Sequence, residues 1–157
     1  MTDSTLPAIA ELIPHEAPMI LVDELIHVDD HSIHTQVVIQ KEGLFFNQDK
    51  QHVPGYVGIE YMAQSIAAWS GFQAWQQGQP PSIGFLLGSR RYQSDCTHFE
   101  EHDILNIYAQ KVMENNGMAV FQCTIEKQGQ EVANAQLNAF VPSKEQLVAM
   151  LGKPSNA

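Results

Sequence analysis

The sequence predicts an α+β domain in which a curved antiparallel sheet wraps around one long central helix. Three observations carry that expectation. After Pro54-Gly55 the chain reads as one helix, apolar or small on almost every side until Gln73, Gln76 and Gln77. A helix that is apolar all round is buried in a soluble protein. Two strand-like segments precede this helix and about four follow it, with turn residues between them, and a single sheet buries a helix on all sides only by curling around it.

Taken in order, residues 6–13 make a short helix with Ile9, Leu12 and Ile13 on one side, ended by Pro14. His15-Glu16-Ala17-Pro18 is a loop. Residues 19–29, rich in Ile, Leu and Val, read as a strand, and Asp29-Asp30-His31 as its turn. Ile33, Thr35, Val37 and Ile39 alternate with polar neighbours, the period of a half-buried strand. Residues 43–53 are a loop with Phe45-Phe46 tucked inward. The long helix runs to about Gln77, where Gly78 and Pro80-Pro81 stop it.

Residues 82–92 hold the run Ile83-Gly84-Phe85-Leu86-Leu87-Gly88, whose glycines permit close backbone approach. Residues 93–102 are polar and irregular, and 103–114 form a strand. Asn115-Asn116-Gly117 is a hairpin signal. Residues 118–127 alternate with Ala119, Phe121, Cys123 and Ile125 on one face. After Gln128-Gly129-Gln130, residues 131–142 alternate again with Ala133, Ala135, Leu137, Ala139 and Val141 inward. Ser143, with Gln146 at the third helical position, caps a short final helix. The layout is a hot-dog arrangement, with residues 1–157 as one domain. Its open sheet edges call for a second copy or a second subunit.

Composition narrows the function. The chain has 157 residues, enough for a real core, and a net charge of −10, which argues against nucleic acid. No apolar run is long enough to cross a bilayer, and the N-terminus lacks the pattern of a signal peptide, so a cytoplasmic location is expected. Cys96 and Cys123 read as two reduced thiols. His31 and His34 near Asp29-Asp30, and His98 to His102, lack the spacing of a metal site. Trp69 and Trp75 read as packing residues. Ser65 and Ser70 lack a nucleophile elbow, and there is no phosphate-binding glycine loop.

Glu60 is the one ionisable residue in the apolar part of the helix, with Gln64 four residues on along the same face. A carboxylate there must be paired, neutralised or used. Stabilisation by the helix N-terminus is the structural alternative to acid–base catalysis.

Two stretches resemble a known family. Ile13-Pro14-His15-Glu16-Ala17-Pro18-Met19-Ile20-Leu21-Val22-Asp23 is similar to the opening of the bacterial 3-hydroxyacyl-carrier-protein dehydratases. Pro54-Gly55-Tyr56-Val57-Gly58-Ile59-Glu60-Tyr61-Met62-Ala63-Gln64 resembles the start of their central helix. The likeness spans roughly residues 12–141. It looks strongest to the branch encoded with aryl polyene and related polyketide pigment pathways.

The resemblance implies a lyase that eliminates water from a 3-hydroxyacyl thioester on acyl carrier protein, without metal or organic cofactor, in fatty acid or polyene biosynthesis. A histidine takes the α-proton, Glu60 takes the acid position, and the amide of Gly55 polarises the thioester carbonyl. Gln64, Phe85 and Gly88 fall beside the acyl site. Acyl carrier protein is the implied partner, with Arg90-Arg91 as the one adjacent basic pair, and the expected assembly is a homodimer or a heterodimer with a second hot-dog subunit. The family's His-Phe-Pro-Gly segment is missing. Its histidine slot falls near Asp49, which leaves His52, His15 or neither as the base. A hot-dog thioesterase and a catalytically weak partner subunit are the competing readings.

Overall fold

The computed structural model describes residues 6–79 and 85–140. The expected inward position of Val141, the final helix capped by Ser143 and the Pro80 to Gly84 stretch lie outside the described residues. The described strands are β1 (Glu24–Val28), β2 (Ser32–Val38), β3 (His52–Pro54), β4 (Phe85–Ser94), β5 (His98–Glu100), β6 (Ile104–Asn115), β7 (Met118–Lys127) and β8 (Gln130–Phe140). Among the described residues there is one α-helix, α1 (Gly58–Gln76), preceded by a 3-10 turn over Gly55–Val57.

Six strands form an antiparallel sheet in the order β1-β2-β6-β7-β8-β4, and α1 packs against β2, β6, β7 and β8. This is the hot-dog fold expected from the sequence. Two hairpins set the register of the long strands. Asn116 and Gly117 (φ 54° and 85°), like Gln128 and Gly129 (φ 54° and 79°), take the left-handed backbone that a two-residue hairpin loop needs. Asn115 therefore faces Met118, and Lys127 faces Gln130.

Alternation then decides what lies beneath the helix. Phe121, Cys123 and Ile125 of β7 and Ala133, Ala135, Leu137 and Ala139 of β8 are all buried. The small residues of β8 admit the helix close to the sheet. Trp69 of α1 meets Phe121 edge to face, with ring centroids 5.4 Å apart. Each large apolar side chain buried here contributes about 1.5–3 kcal/mol. Burial pushes the Cys123 thiol up to about 12, which leaves it unreactive. One polar pair sits inside the core: Thr35 and Ser65 share a hydrogen bond of 2.8 Å, and the Ser65 hydroxyl donates to the Tyr61 carbonyl at 2.8 Å.

Four expectations need correction. The segment 6–13 is a single 3-10 turn, Ile9–Glu11, although Ile9, Leu12 and Ile13 are buried as expected. The turn is held by Gly71, whose missing side chain leaves room for the Leu12 carbonyl. The strand read over 19–29 is only β1: Asp23 still bonds to β2, its N–H donating to the Gln36 carbonyl at 2.9 Å and its carboxylate accepting from the Val38 N–H at 2.7 Å, but Met19 and Leu21 are bonded to the Gln64 side chain instead. Of the phenylalanine pair, Phe46 is buried and Phe45 is exposed. Finally, β4 continues to Ser94 and 98–100 forms β5, so half of 93–102 is strand.

Candidate active site

The two-stranded ribbon of β3 and β5 leads directly into the start of α1. His52 faces Glu100 in its register, Val53 faces Phe99, and Pro54 faces His98. Val53 and Phe99 point into the core, so the residues on either side of them point outward. The imidazoles of His52 and His98 stack with centroids 4.3 Å apart and planes 16° from parallel. His98 Nδ1 lies 3.0 Å from the Thr97 hydroxyl, and its Nε2 lies 3.3 Å from the Glu100 carboxylate. The His52 ring has no hydrogen-bond partner among the described residues. Partial desolvation, with His98 and Lys50 nearby, lowers the His52 pKa from its ordinary value, against a smaller opposing effect of Glu100.

Gly55 is buried in the turn that follows. Its N–H donates to the Thr97 carbonyl at 2.9 Å and its carbonyl accepts from the Tyr92 hydroxyl at 2.7 Å. A β-carbon at this position would lie 2.5 Å from the Cys96 carbonyl oxygen. The amide that the resemblance offers to the thioester is therefore already engaged, since a neighbouring strand end sits on it. The next amide is that of Tyr56, in the first turn of the helical segment, where a backbone N–H has no intrahelical acceptor.

Glu60 lies in the first turn of α1, and it is exposed rather than buried. The sheet covers the faces of α1 that carry Tyr61, Met62, Ser65 and Phe72, while Tyr56 is 73% exposed and Ile59, Ala63 and Ala67 are half-buried. These positions and Glu60 follow helical spacing, so they form one stripe that the described residues leave exposed or half-buried, with Ile59 and Ala67 against the edge of the core. Among the described residues Glu60 has no ion pair or hydrogen bond, with His52, His15 or any other group.

Gln64 is buried, 4% exposed. Its carboxamide accepts from the Leu21 N–H at 2.9 Å and donates to the Met19 carbonyl at 2.7 Å. It fixes the opening loop against the helix, a role that follows from its one acceptor and two donors. In that loop the Nδ1 of His15 is buried with no partner among the described residues. Gly88 lies at a register irregularity between β4 and β8, with open space where a side chain would stand. Phe85 opens β4 opposite Phe140, and its side chain lies outside what the structure describes. A cleft of about 260 Å³, lined by Pro18, Leu21, Val37, Phe45, Val53 and Tyr61, opens between the opening loop, the end of β2 and the loop over 42–45.

His98 and Glu100 lie in the stretch the sequence presents as irregular and without metal-site spacing, and Tyr92 ends the 82–92 segment before it; none of the three stands out in the sequence as a site residue. The signal was a short alternation, His98-Phe99-Glu100, with its apolar residue in the middle.

The model of the ApeP-like family, described as ApeP dehydratase, matches residues 7–151. The 3-hydroxyacyl-[acyl-carrier-protein] dehydratase FabZ of Sinorhizobium fredii is 28% identical over 146 residues, covering 89% of this chain and 91% of that protein. FabZ of Brucella melitensis is 25% identical over 139 residues, covering 85% and 86%. Among solved structures, the dehydratase heterocomplex ApeI:P from Xenorhabdus doucetiae aligns with a TM-score of 0.83 and 32% identity, over 94% of this chain and 99% of that one. A hypothetical thioesterase from Streptococcus pneumoniae aligns with a TM-score of 0.60 at 17% identity, over 75% of this chain and 86% of that one, which shows a shared fold alone.

Proposed function

Because the chain belongs to the ApeP-like dehydratase family, we propose that it converts a 3-hydroxyacyl thioester on acyl carrier protein to the trans-2-enoyl thioester in fatty acid or polyene biosynthesis. The observation that carries this reading is the placement of Glu60: a lone carboxyl group in the first turn of α1, on a stripe that the described residues leave exposed or half-buried. A base takes the proton from C2, the C2–C3 double bond forms, and the C3 hydroxyl leaves as water with the proton that Glu60 supplies. Developing negative charge on the thioester oxygen is met by a first-turn amide, which we assign to Tyr56 because Gly55 is engaged.

The open stripe supports a two-subunit enzyme. A second hot-dog subunit laid on Tyr56, Ile59, Glu60, Ala63 and Ala67 covers the apolar part of the stripe and takes Glu60 out of water. Desolvation favours the protonated form of a carboxyl group, the form that donates to a leaving hydroxyl. The similarity to a chain of the ApeI:P heterocomplex supports a different chain as that subunit. Within this chain His52 is the base the geometry favours: its ring nitrogens are unengaged, whereas the Nδ1 of His15 is buried. The reading retains the cytoplasmic location expected from the sequence; among the described residues no helix is long and apolar enough to cross a membrane.

The test is product analysis on a carrier-bound 3-hydroxyacyl substrate, with the chain alone and with its co-purified companion. Enoyl thioester with loss of water is expected. Free acid and free thiol would establish the thioesterase reading instead, and no turnover in either assay would overturn both.

A further inference from the structure

We propose that His98 is a positioning residue for His52: its ring, held by Thr97 and Glu100, is the platform on which the His52 imidazole stacks. The proposal rests on the reading of His52 as the base. Three features of the β3–β5 ribbon carry it. First, both nitrogens of His98 are near polar partners on β5 or just before it, Thr97 at 3.0 Å and Glu100 at 3.3 Å. With the proton on Nε2, the ring donates to the carboxylate while Nδ1 accepts from the hydroxyl, so one tautomer satisfies both contacts. Second, the register that sets Pro54 opposite His98 and His52 opposite Glu100 brings the His52 ring over the His98 ring, 4.3 Å away and nearly parallel. Third, the His52 nitrogens make no hydrogen bond among the described residues. Stacking therefore fixes the ring while leaving both nitrogens open to substrate.

The stack also discriminates between charge states. Two imidazolium rings at this separation repel, so a proton on either ring disfavours a second one. The charged and titratable groups around His52 are His98 and Glu100 from β5 and Lys50 from the preceding loop. His98, when protonated, and Lys50 oppose a charge on His52, as does partial desolvation; Glu100 alone favours it. The resulting lowered pKa of His52 keeps the ring in the form that accepts a proton from carbon.

The experiment titrates His52 by NMR of histidine-labelled protein and measures the pH dependence of kcat/KM, for the wild type, His98→Ala and His98→Phe, each in the assembly in which the wild type is active. In His98→Ala the His52 midpoint is expected to move up, the acid limb of the pH profile to move up with it, and kcat to fall roughly ten- to a hundredfold with KM held. His98→Phe keeps a flat ring and is expected to recover most of kcat while the His52 midpoint still rises. An unmoved midpoint in both variants overturns the proposal. A midpoint that moves while the pH profile does not shows that the stack is real but has no part in the reaction, which also overturns it. The base assignment is tested separately: full activity of His52→Ala refutes it whatever the titrations show.

Discussion

Gln64, in the middle of α1, grips the backbone on either side of Ile20: its Oε1 accepts from the Leu21 N–H at 2.9 Å and its Nε2 donates to the Met19 carbonyl at 2.7 Å. The side chain is buried, and both partners lie in a loop with no strand neighbour of its own. Gln64→Leu preserves volume but removes both bonds. Met19 is exposed, so its carbonyl recovers a water, while the Leu21 N–H is less easily compensated. The expected loss is about 1–3 kcal/mol in chemical denaturation. Unchanged stability would show that this loop does not depend on Gln64.

Asp29 organises the turn between β1 and β2. Its carboxylate accepts from the His31 and Ser32 amides, both at 2.9 Å, and from the Ser32 hydroxyl at 3.1 Å, and it lies 3.2 Å from the His27 ring. These bonds, the His31 amide foremost, lower its pKa from 3.8 to about 2 against a smaller opposing effect of burial. A depressed carboxylate pKa stabilises the fold above the unfolded value, and that contribution fades as pH falls from 3.8 towards about 2. Wild type is thus expected to exceed Asp29→Asn in stability near neutrality, with the difference closing across that window. A difference independent of pH down to the lower limit would rule out the carboxylate as its source.

Glu60→Gln keeps the size of the side chain and removes the proton that the proposed mechanism gives to the leaving hydroxyl. Because Glu60 is exposed and unpaired among the described residues, stability of the isolated chain should change by less than about 0.5 kcal/mol. Dehydration by the assembled enzyme is expected to fall on the order of 10²–10⁴-fold. Retained turnover, measured as enoyl product, would remove Glu60 from the mechanism.

The proposed function would give Arg90-Arg91, the one adjacent basic pair in a chain of net charge −10, a role in docking the carrier protein. Arg91 is exposed, with φ 58°, at the irregularity where β4 slips against β8. Reversing both charges is expected to raise KM for carrier-bound substrate, most at low salt, and to leave turnover of a small free thioester intact. Equal effects on both substrates would point to damage of the site rather than of docking.

The sequence by itself determined the long repetitive elements. Helical continuity from 58 to 76, the period-two faces of β2, β7 and β8, and two glycine-bearing hairpin turns are properties of neighbouring residues, so they are legible in order along the chain. They also sufficed to imply one helix held by one sheet. Tertiary structure decided which residues are free to act. Glu60 lies in an apolar helix, yet it is exposed. Gln64 shares its face by spacing, yet its amide is spent on a loop 43 residues away. Gly55 opens the helical segment, yet its N–H belongs to Thr97, and His52 gains its stacked neighbour only because β3 pairs with β5. Periodicity records which way a side chain faces along its own element. Which element closes over it depends on pairings between distant segments, and those are set by loop closure and competition for buried hydrogen bonds.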